Sequence, residues 1–218
     1  MLRRQVAIAL LLAMSVFTAA SSAQEADHSE KNEVAGTIGR MIISDQGIQG
    51  ATFFDPLVRS GKGTSFQIDY ARHFFSGGFF ALSAEVPVVF NLDEDLISGA
   101  DDVPSDYQQI FVTPSLRLNL FPTTDFSPWV SVGGGFAHFS ENKNLVFGGT
   151  NPGTSSTSGV LQGGFGLDLR PLHHRLHQLG FRGEVRDFWS GEPNFPLAPT
   201  GKTRQHNFYV AGGVIWYF

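Results

Sequence analysis

Seven charged residues stand out as the ones whose types could do chemistry: Glu85, Arg117, Asp168, Arg170, Arg182, Glu184 and Arg186. Each sits in a stretch where every second residue is apolar, as in Phe181-Arg182-Gly183-Glu184-Val185-Arg186. Paired carboxylates could serve acid–base catalysis, and carboxylate–guanidinium pairs could gate an ion or proton path. No spacing among them singles out an acid–base couple, so no catalytic residue is assigned. Three histidines, His173, His174 and His177, cluster, with two of them four residues apart. That spacing suits a metal on a helix, but Pro171 argues against a helix there. No metal and no cofactor is expected. Asp93, Glu94, Asp95, Asp101, Asp102 and Asp106 form an acidic run whose spacing is not that of an EF-hand loop. Gly133-Gly134-Gly135 lacks the lysine and the strand-to-helix setting of a phosphate loop.

The alternation around the charged residues reads as β-strand, because successive side chains on a strand point to opposite faces. Eight segments carry it: about Glu33–Ile43, Thr64–Phe75, Gly78–Phe90, Tyr107–Leu120, Trp129–Ser140, Gly159–Arg170, Leu179–Trp189 and Phe208–Phe218. The fourth is the cleanest. Ile110, Val112, Pro114, Leu116, Leu118 and Leu120 share one face, against Gln109, Thr113, Ser115, Arg117 and Asn119. Counting from the turns places Glu85 within reach of Arg117, and Asp168 within reach of Arg182. In the first segment Arg40 would share the apolar face with Val34, Ile38 and Ile42. Either Arg40 lies near an interface, or the register is the opposite one and Arg40 points inward; the second is preferred.

Connections of unequal length separate the segments. Those after the first, third, fifth and seventh are long (Ser44–Gly63, Asn91–Asp106, Glu141–Ser158, Ser190–Arg204), and the others are short. Arg3 and Arg4 precede an apolar run, Ala7–Val16, and Ser21-Ser22-Ala23 offers a small-residue cleavage site. Residues 1–23 therefore read as a secretory signal peptide, 24–32 as a charged arm, and 33–218 as one domain. Apolar residues make up 42% of the chain, yet its mean hydropathy is only −0.03, as strands with one apolar and one polar face require. There is no cysteine, which excludes disulfides and thiolate chemistry. The net charge of −5 becomes more negative once the signal leaves, so nucleic acid is not an expected partner.

Short turns on one side, long loops on the other and strands of ~9–11 residues are the pattern of a membrane-spanning barrel. The fold expected is all-β: an eight-stranded, antiparallel, up-and-down transmembrane β-barrel. The final residues, Val214, Trp216 and Phe218, resemble the C-terminal signal that the outer-membrane assembly machinery reads. From Glu33 to Phe218 the chain resembles the small OmpA/OmpX-type outer-membrane barrels. That resemblance implies an envelope or surface-interaction protein, with outer-membrane lipid, lipopolysaccharide and the assembly machinery as partners, and a monomeric state. Larger members carry a peptidoglycan-binding domain after the barrel; this chain stops at strand eight, so no cell-wall tether is implied. The acidic run then reads as solvated or as bridged by divalent ions to lipopolysaccharide. Some barrels of this size deacylate lipid A through a His-x-Ser pair; here the nearest match is His206-Asn207-Phe208, without the serine. An eight-stranded barrel is narrow enough to be filled by its own side chains. The seven charged residues are therefore expected to form an ion-paired interior rather than a site. Two alternatives remain: a narrow gated channel, and a soluble periplasmic barrel holding an apolar ligand.

Overall fold

The computed structural model describes residues 31–48, 57–60, 63–98, 103–145, 148–153, 155–170, 178–193, 197 and 204–218. The signal segment, most of the charged arm and the histidines at 173, 174 and 177 lie outside the described residues. Eleven strands follow in order: β1 (Asn32–Ile43), β2 (Gln46–Gly47), β3 (Leu57–Ser60), β4 (Ser65–Ser76), β5 (Phe80–Ser98), β6 (Asp106–Val112), β7 (Ser115–Leu120), β8 (Phe126–Glu141), β9 (Ser155–Leu169), β10 (Leu179–Ser190) and β11 (Gln205–Tyr217).

These strands close into a ring of antiparallel pairs. β1 pairs with β4, β4 with β5, and β5 with both β6 and β7. β6 and β7 pair with β8, followed by β9, β10 and β11. β11 returns to β1 in an eleven-residue register, Glu33↔Tyr217 to Ile43↔Asn207. β6 and β7 are one barrel strand interrupted at Thr113-Pro114, where proline has no N–H to give to the ladder. The barrel is thus eight-stranded. β2 and β3 are short additions that extend the sheet beside the end of β5.

Alternation decides which side chains fill the barrel and which coat it. Arg117 is fully buried while its neighbour Leu116 is 58% exposed. Ile38, Ile68, Val130, Val132, Phe165, Val214, Trp216 and Phe218 also lie on the outer face. An apolar coat around a polar filling is the inverse of a soluble ligand-binding barrel, and suits a lipid solvent. In lipid every backbone polar group must be paired internally, and the closed ring achieves this.

Two expectations need correction. Arg40 is on the outer face, exposed between Ile38 and Ile42. The inward register would turn Glu33, Thr37 and Met41 out, and these three are buried. Arg40 lies one outward position from Ile42, whose partner Phe208 stacks on His206 near Trp189. An aromatic belt marks a membrane interface, and a long arginine side chain can carry its charge toward it. Secondly, the link Asn91–Asp106 is not simply a loop. β5 runs on to Ser98, nineteen residues in all, and its extension pairs with β3 (Val58↔Ser98, Arg59↔Ile97). A spanning strand needs only ~9–11 residues, so the sheet continues beyond the bilayer at the loop-bearing end.

Val132, the most exposed large residue of the outer face at 68%, tests the membrane reading. Val132→Arg is expected to lower folding stability in lipid vesicles by ~2–4 kcal/mol, the midplane cost of arginine. Arg40→Leu is expected to be neutral or stabilising. Equilibrium urea unfolding into vesicles measures both.

Candidate functional site

The interior is layered. Nearest the chain termini, Ala35, Ile215 and Tyr217 form a small apolar group. Above it lies a charged layer, and above that an apolar layer at the loop-bearing end.

Eight charged side chains make the middle layer. Arg182 donates Nε to Asp168 Oδ1 (2.8 Å) and Nη2 to Asp168 Oδ2 (2.9 Å). The same guanidinium reaches Asp69 Oδ2 at 3.0 Å and Glu33 Oε1 at 2.8 Å. Arg186 donates to Glu85 Oε1 (2.7 Å) and to Glu184 Oε2 (2.9 Å). Arg117 contacts Glu85 Oε2 at 3.3 Å, donates Nε to Asn119 Oδ1 at 2.9 Å and is ion-paired with Glu33. Five carboxylates thus surround three guanidiniums. Neutral donors serve the remaining acceptor positions: Thr37 Oγ1 and Gln67 Nε2 both donate to Glu184 Oε1 at 2.8 Å. His73 Nε2 lies 3.2 Å from Glu33 Oε2, and its Nδ1 meets Ser83 Oγ.

At the centre stands Trp129. Its indole Nε1 donates to Asp168 Oδ1 at 3.0 Å. The guanidinium carbons of Arg117, Arg182 and Arg186 lie 5.7, 5.2 and 5.0 Å from its ring centroid. Three like charges converge on one aromatic face region, where the ring quadrupole offsets part of their repulsion. Room for the indole comes from β9: a Cβ on Gly166 would come within 2.7 Å of two Trp129 ring carbons.

The structure brings Glu85, Arg117, Asp168, Arg182, Glu184 and Arg186 together, with Glu85–Arg117 and Asp168–Arg182 in direct contact. Arg170 is not among them. Its guanidinium lies 3.7 Å from the Tyr217 ring centroid, half-buried at the terminus end. It lies two residues past Asp168, just beyond the end of β9. Sequence reading missed Glu33, Asp69 and Trp129. Glu33 opens the first segment, and the register preferred there, with Arg40 inward, would turn it to the outer face. Asp69 was visible, two positions after Gln67 on the inward face of the second segment. Trp129 shares the inward parity of Ser127 and Ser131.

The apolar layer was also missed. Phe111, Phe139 and Phe188 are fully buried and pack with Tyr107, Val89, Met41 and Val160. Phe111 stacks on Phe188 at 4.8 Å and meets Phe139 edge-on. Parity alone would place them inside: Phe188 lies two residues after Arg186, and Phe111 two before Thr113. The acidic run is split as well. Asp93 and Asp95 are exposed, whereas Glu94 is buried on the inward face. Burial raises the Glu94 and Glu141 carboxyls above the ordinary carboxylate range.

His206 faces outward. Its Nδ1 lies 2.8 Å from Asp187 Oδ2, and its ring stacks on Trp189 and Phe208. A neighbouring hydroxyl, Ser44 Oγ, accepts from the His206 backbone N–H at 3.4 Å. The position two residues on, which would carry a serine in the deacylase pattern, is Phe208. Among the described residues no three His, Asp or Glu side chains come together to hold a metal.

Two substitutions test this interior. Arg182→Met leaves Asp168, Asp69 and Glu33 without their shared cation and is expected to cost ~3–5 kcal/mol. Arg182→Met with Asp168→Leu is expected to cost less than the sum of the two single changes, read from vesicle unfolding of all three variants. Gly166→Ala is expected to cost ~1–3 kcal/mol by overpacking and to change the near-ultraviolet circular dichroism of Trp129.

No family model and no curated protein matches this sequence. Solved structures do match it. Neisserial surface protein A (NspA) superposes with a TM-score of 0.54 at 14% identity, covering 87% of this chain and 98% of its own. The outer membrane protein OprG from Pseudomonas aeruginosa gives 0.49 at 14% identity, covering 86% and 95%. The outer membrane enzyme PagL gives 0.44 at 12% identity, covering 84% and 97%. At such identities the likeness is one of fold. This chain has the fold of the small eight-stranded outer-membrane β-barrels.

Proposed function

We propose that this protein is a non-enzymatic component of the bacterial outer membrane. Its closed barrel is a rigid anchor, and its loop-bearing end is the working surface. The observation that carries this reading is the filled interior. A layer of paired charges lies beneath a layer of packed aromatics, including Phe111, Phe139 and Phe188. Water and ions cross a barrel only where its interior is open. The paired charges are all committed to one another, which favours packing over ion passage.

Catalysis finds little support in the described residues. His206 has a carboxylate partner, but the hydroxyl beside it accepts a backbone hydrogen bond. The loop-bearing end fits a contact role better. Binding specificity lives on loops held by rigid scaffolds, and here β5, β8 and β9 extend the scaffold to 19, 16 and 15 residues. Lipopolysaccharide, surfaces or other proteins are the proposed contacts of these loops. Export by a signal peptide cleaved after Ala23, recognition of Val214, Trp216 and Phe218 by the assembly machinery, and a monomeric state belong to the same proposal.

Purified protein in planar bilayers is expected to be electrically silent, with Arg117→Gln equally silent. Discrete conductance steps altered by Arg117→Gln would establish a channel in its place.

A further inference from the structure

The charged layer does not balance. Glu33, Asp69, Glu85, Asp168 and Glu184 bring five carboxylates into it, each no more than 3% exposed. Arg117, Arg182 and Arg186 bring three guanidiniums. The next permanent cation toward the termini, Arg170, stacks on the Tyr217 ring, and even with it the count is five against four. Uncompensated charge is very costly inside a filled barrel set in lipid. Neutrality calls for a positive charge taken up from water.

The bonding pattern shows where that charge is missing. Glu33 has Oε1 on Arg117 and Arg182 and Oε2 beside His73. Glu85 has Oε1 on Arg186 and Oε2 between Arg117 and Arg186. Asp168 gives one oxygen to Arg182 Nη2 and shares the other between Arg182 Nε and Trp129. Glu184 accepts from Thr37 and Gln67 on Oε1 and from Arg186 on Oε2. Both oxygens of all four carboxylates thus have a partner.

Asp69 differs. Its Oδ2 faces all three guanidiniums, at 3.0 Å from Arg182, 3.5 Å from Arg186 and 3.8 Å from Arg117. Its Oδ1 is buried and has no hydrogen-bond partner among the described residues. The wall on either side is described: Ala35 of β1 and Pro87 of β5 stand across from it. Glu85 acts on it as a like charge. A buried carboxylate oxygen without a donor is costly. A proton removes that cost and needs no room, which suits an interior filled by its own side chains.

We propose that the charged layer is a proton-binding site, with the proton on Asp69 Oδ1. The titratable groups around it are Glu33 on β1, Glu85 on β5, Asp168 on β9, Glu184 on β10 and, from β4 itself, His73. The cations are Arg117 on β7 and Arg182 and Arg186 on β10. Closing the barrel takes up a proton that the unfolded chain, whose aspartates ionise near ~4, does not hold at neutral pH. The folded state then binds more protons than the unfolded one, so stability falls as the pH rises for as long as Asp69 keeps its proton. Acid favours assembly of the barrel, whatever the loops contact.

The test is urea unfolding of the full mature protein in lipid vesicles, from about pH 5 to about pH 8. Asp69→Asn is an uncharged isostere of the proton-bearing form. The folded-to-unfolded ratio of the wild type is expected to fall with pH. The ratio of Asp69→Asn relative to wild type is expected to grow by up to about tenfold per pH unit. This comparison cancels protons bound elsewhere, such as on Glu94 and Glu141, which both proteins share. Asp168→Asn, which weakens the fork of Arg182, is expected to be less stable by a factor that stays constant across the range. The heat-induced gel shift verifies that each variant is folded. A wild-type ratio that is flat or rises with pH, or an Asp69→Asn advantage that does not grow, would overturn the proposal. So would failure of Asp69→Asn to fold, or an advantage that grows with pH in His73→Gln in its place.

Discussion

Closure of the sheet is the constraint on which the rest of this structure depends. β11 meets β1 over eleven residue pairs, and no backbone edge is left for the hydrocarbon to face. With eight strands, closure sets an interior barely wider than the side chains that point into it. Every second residue must then fill that space, and the others must dissolve in lipid. The outward valines and phenylalanines and the inward charges are two results of one geometric condition.

Filling so narrow a space with charge is feasible only when the charges answer one another. Arg182 illustrates the solution: its fork engages Asp168 twice and reaches Asp69 and Glu33 from other strands. Arg186 and Arg117 do the same for Glu85, and Trp129 sits among all three. Residues from β1, β4, β5, β7, β8, β9 and β10 are tied across the lumen in this way. Such a layer is weak evidence for net stability, because desolvation offsets much of the attraction. What it does supply is register: a slip of one residue would turn the charges into the lipid.

The two halves of the interior correspond to two surroundings. Within the bilayer the outside is apolar and the filling is ionic. Toward the loop-bearing end the strands outrun the bilayer, and the filling becomes aromatic and aliphatic, as in a soluble protein. There the bulge at Asn91–Glu94 interrupts the β5–β6 ladder, while a second irregularity, at His73–Phe75, lies toward the opposite end. A rigid, plugged base and an elaborated outer rim are the two features on which the proposed contact role rests.

Alternation, turn spacing and the terminal aromatics made the eight-stranded barrel legible from the residues alone. They also placed Glu85, Arg117, Asp168, Arg182, Glu184 and Arg186 inside, because parity on a strand is a local property. Parity likewise points Asp69, Phe111 and Phe188 inward. Only the tertiary structure decided the rest. Whether Arg170 joins the cluster or caps Tyr217 depends on the stagger between strands, which no single strand records. Arg40 turned outward because the buried positions of Glu33, Thr37 and Met41 settled the register of β1 against its own charge pattern. Glu94 turned inward because one extra residue at a bulge reversed the parity that Asp93 and Asp95 otherwise share with their surroundings. Local periodicity determined which faces exist; the pairing of distant strands determined what each face meets.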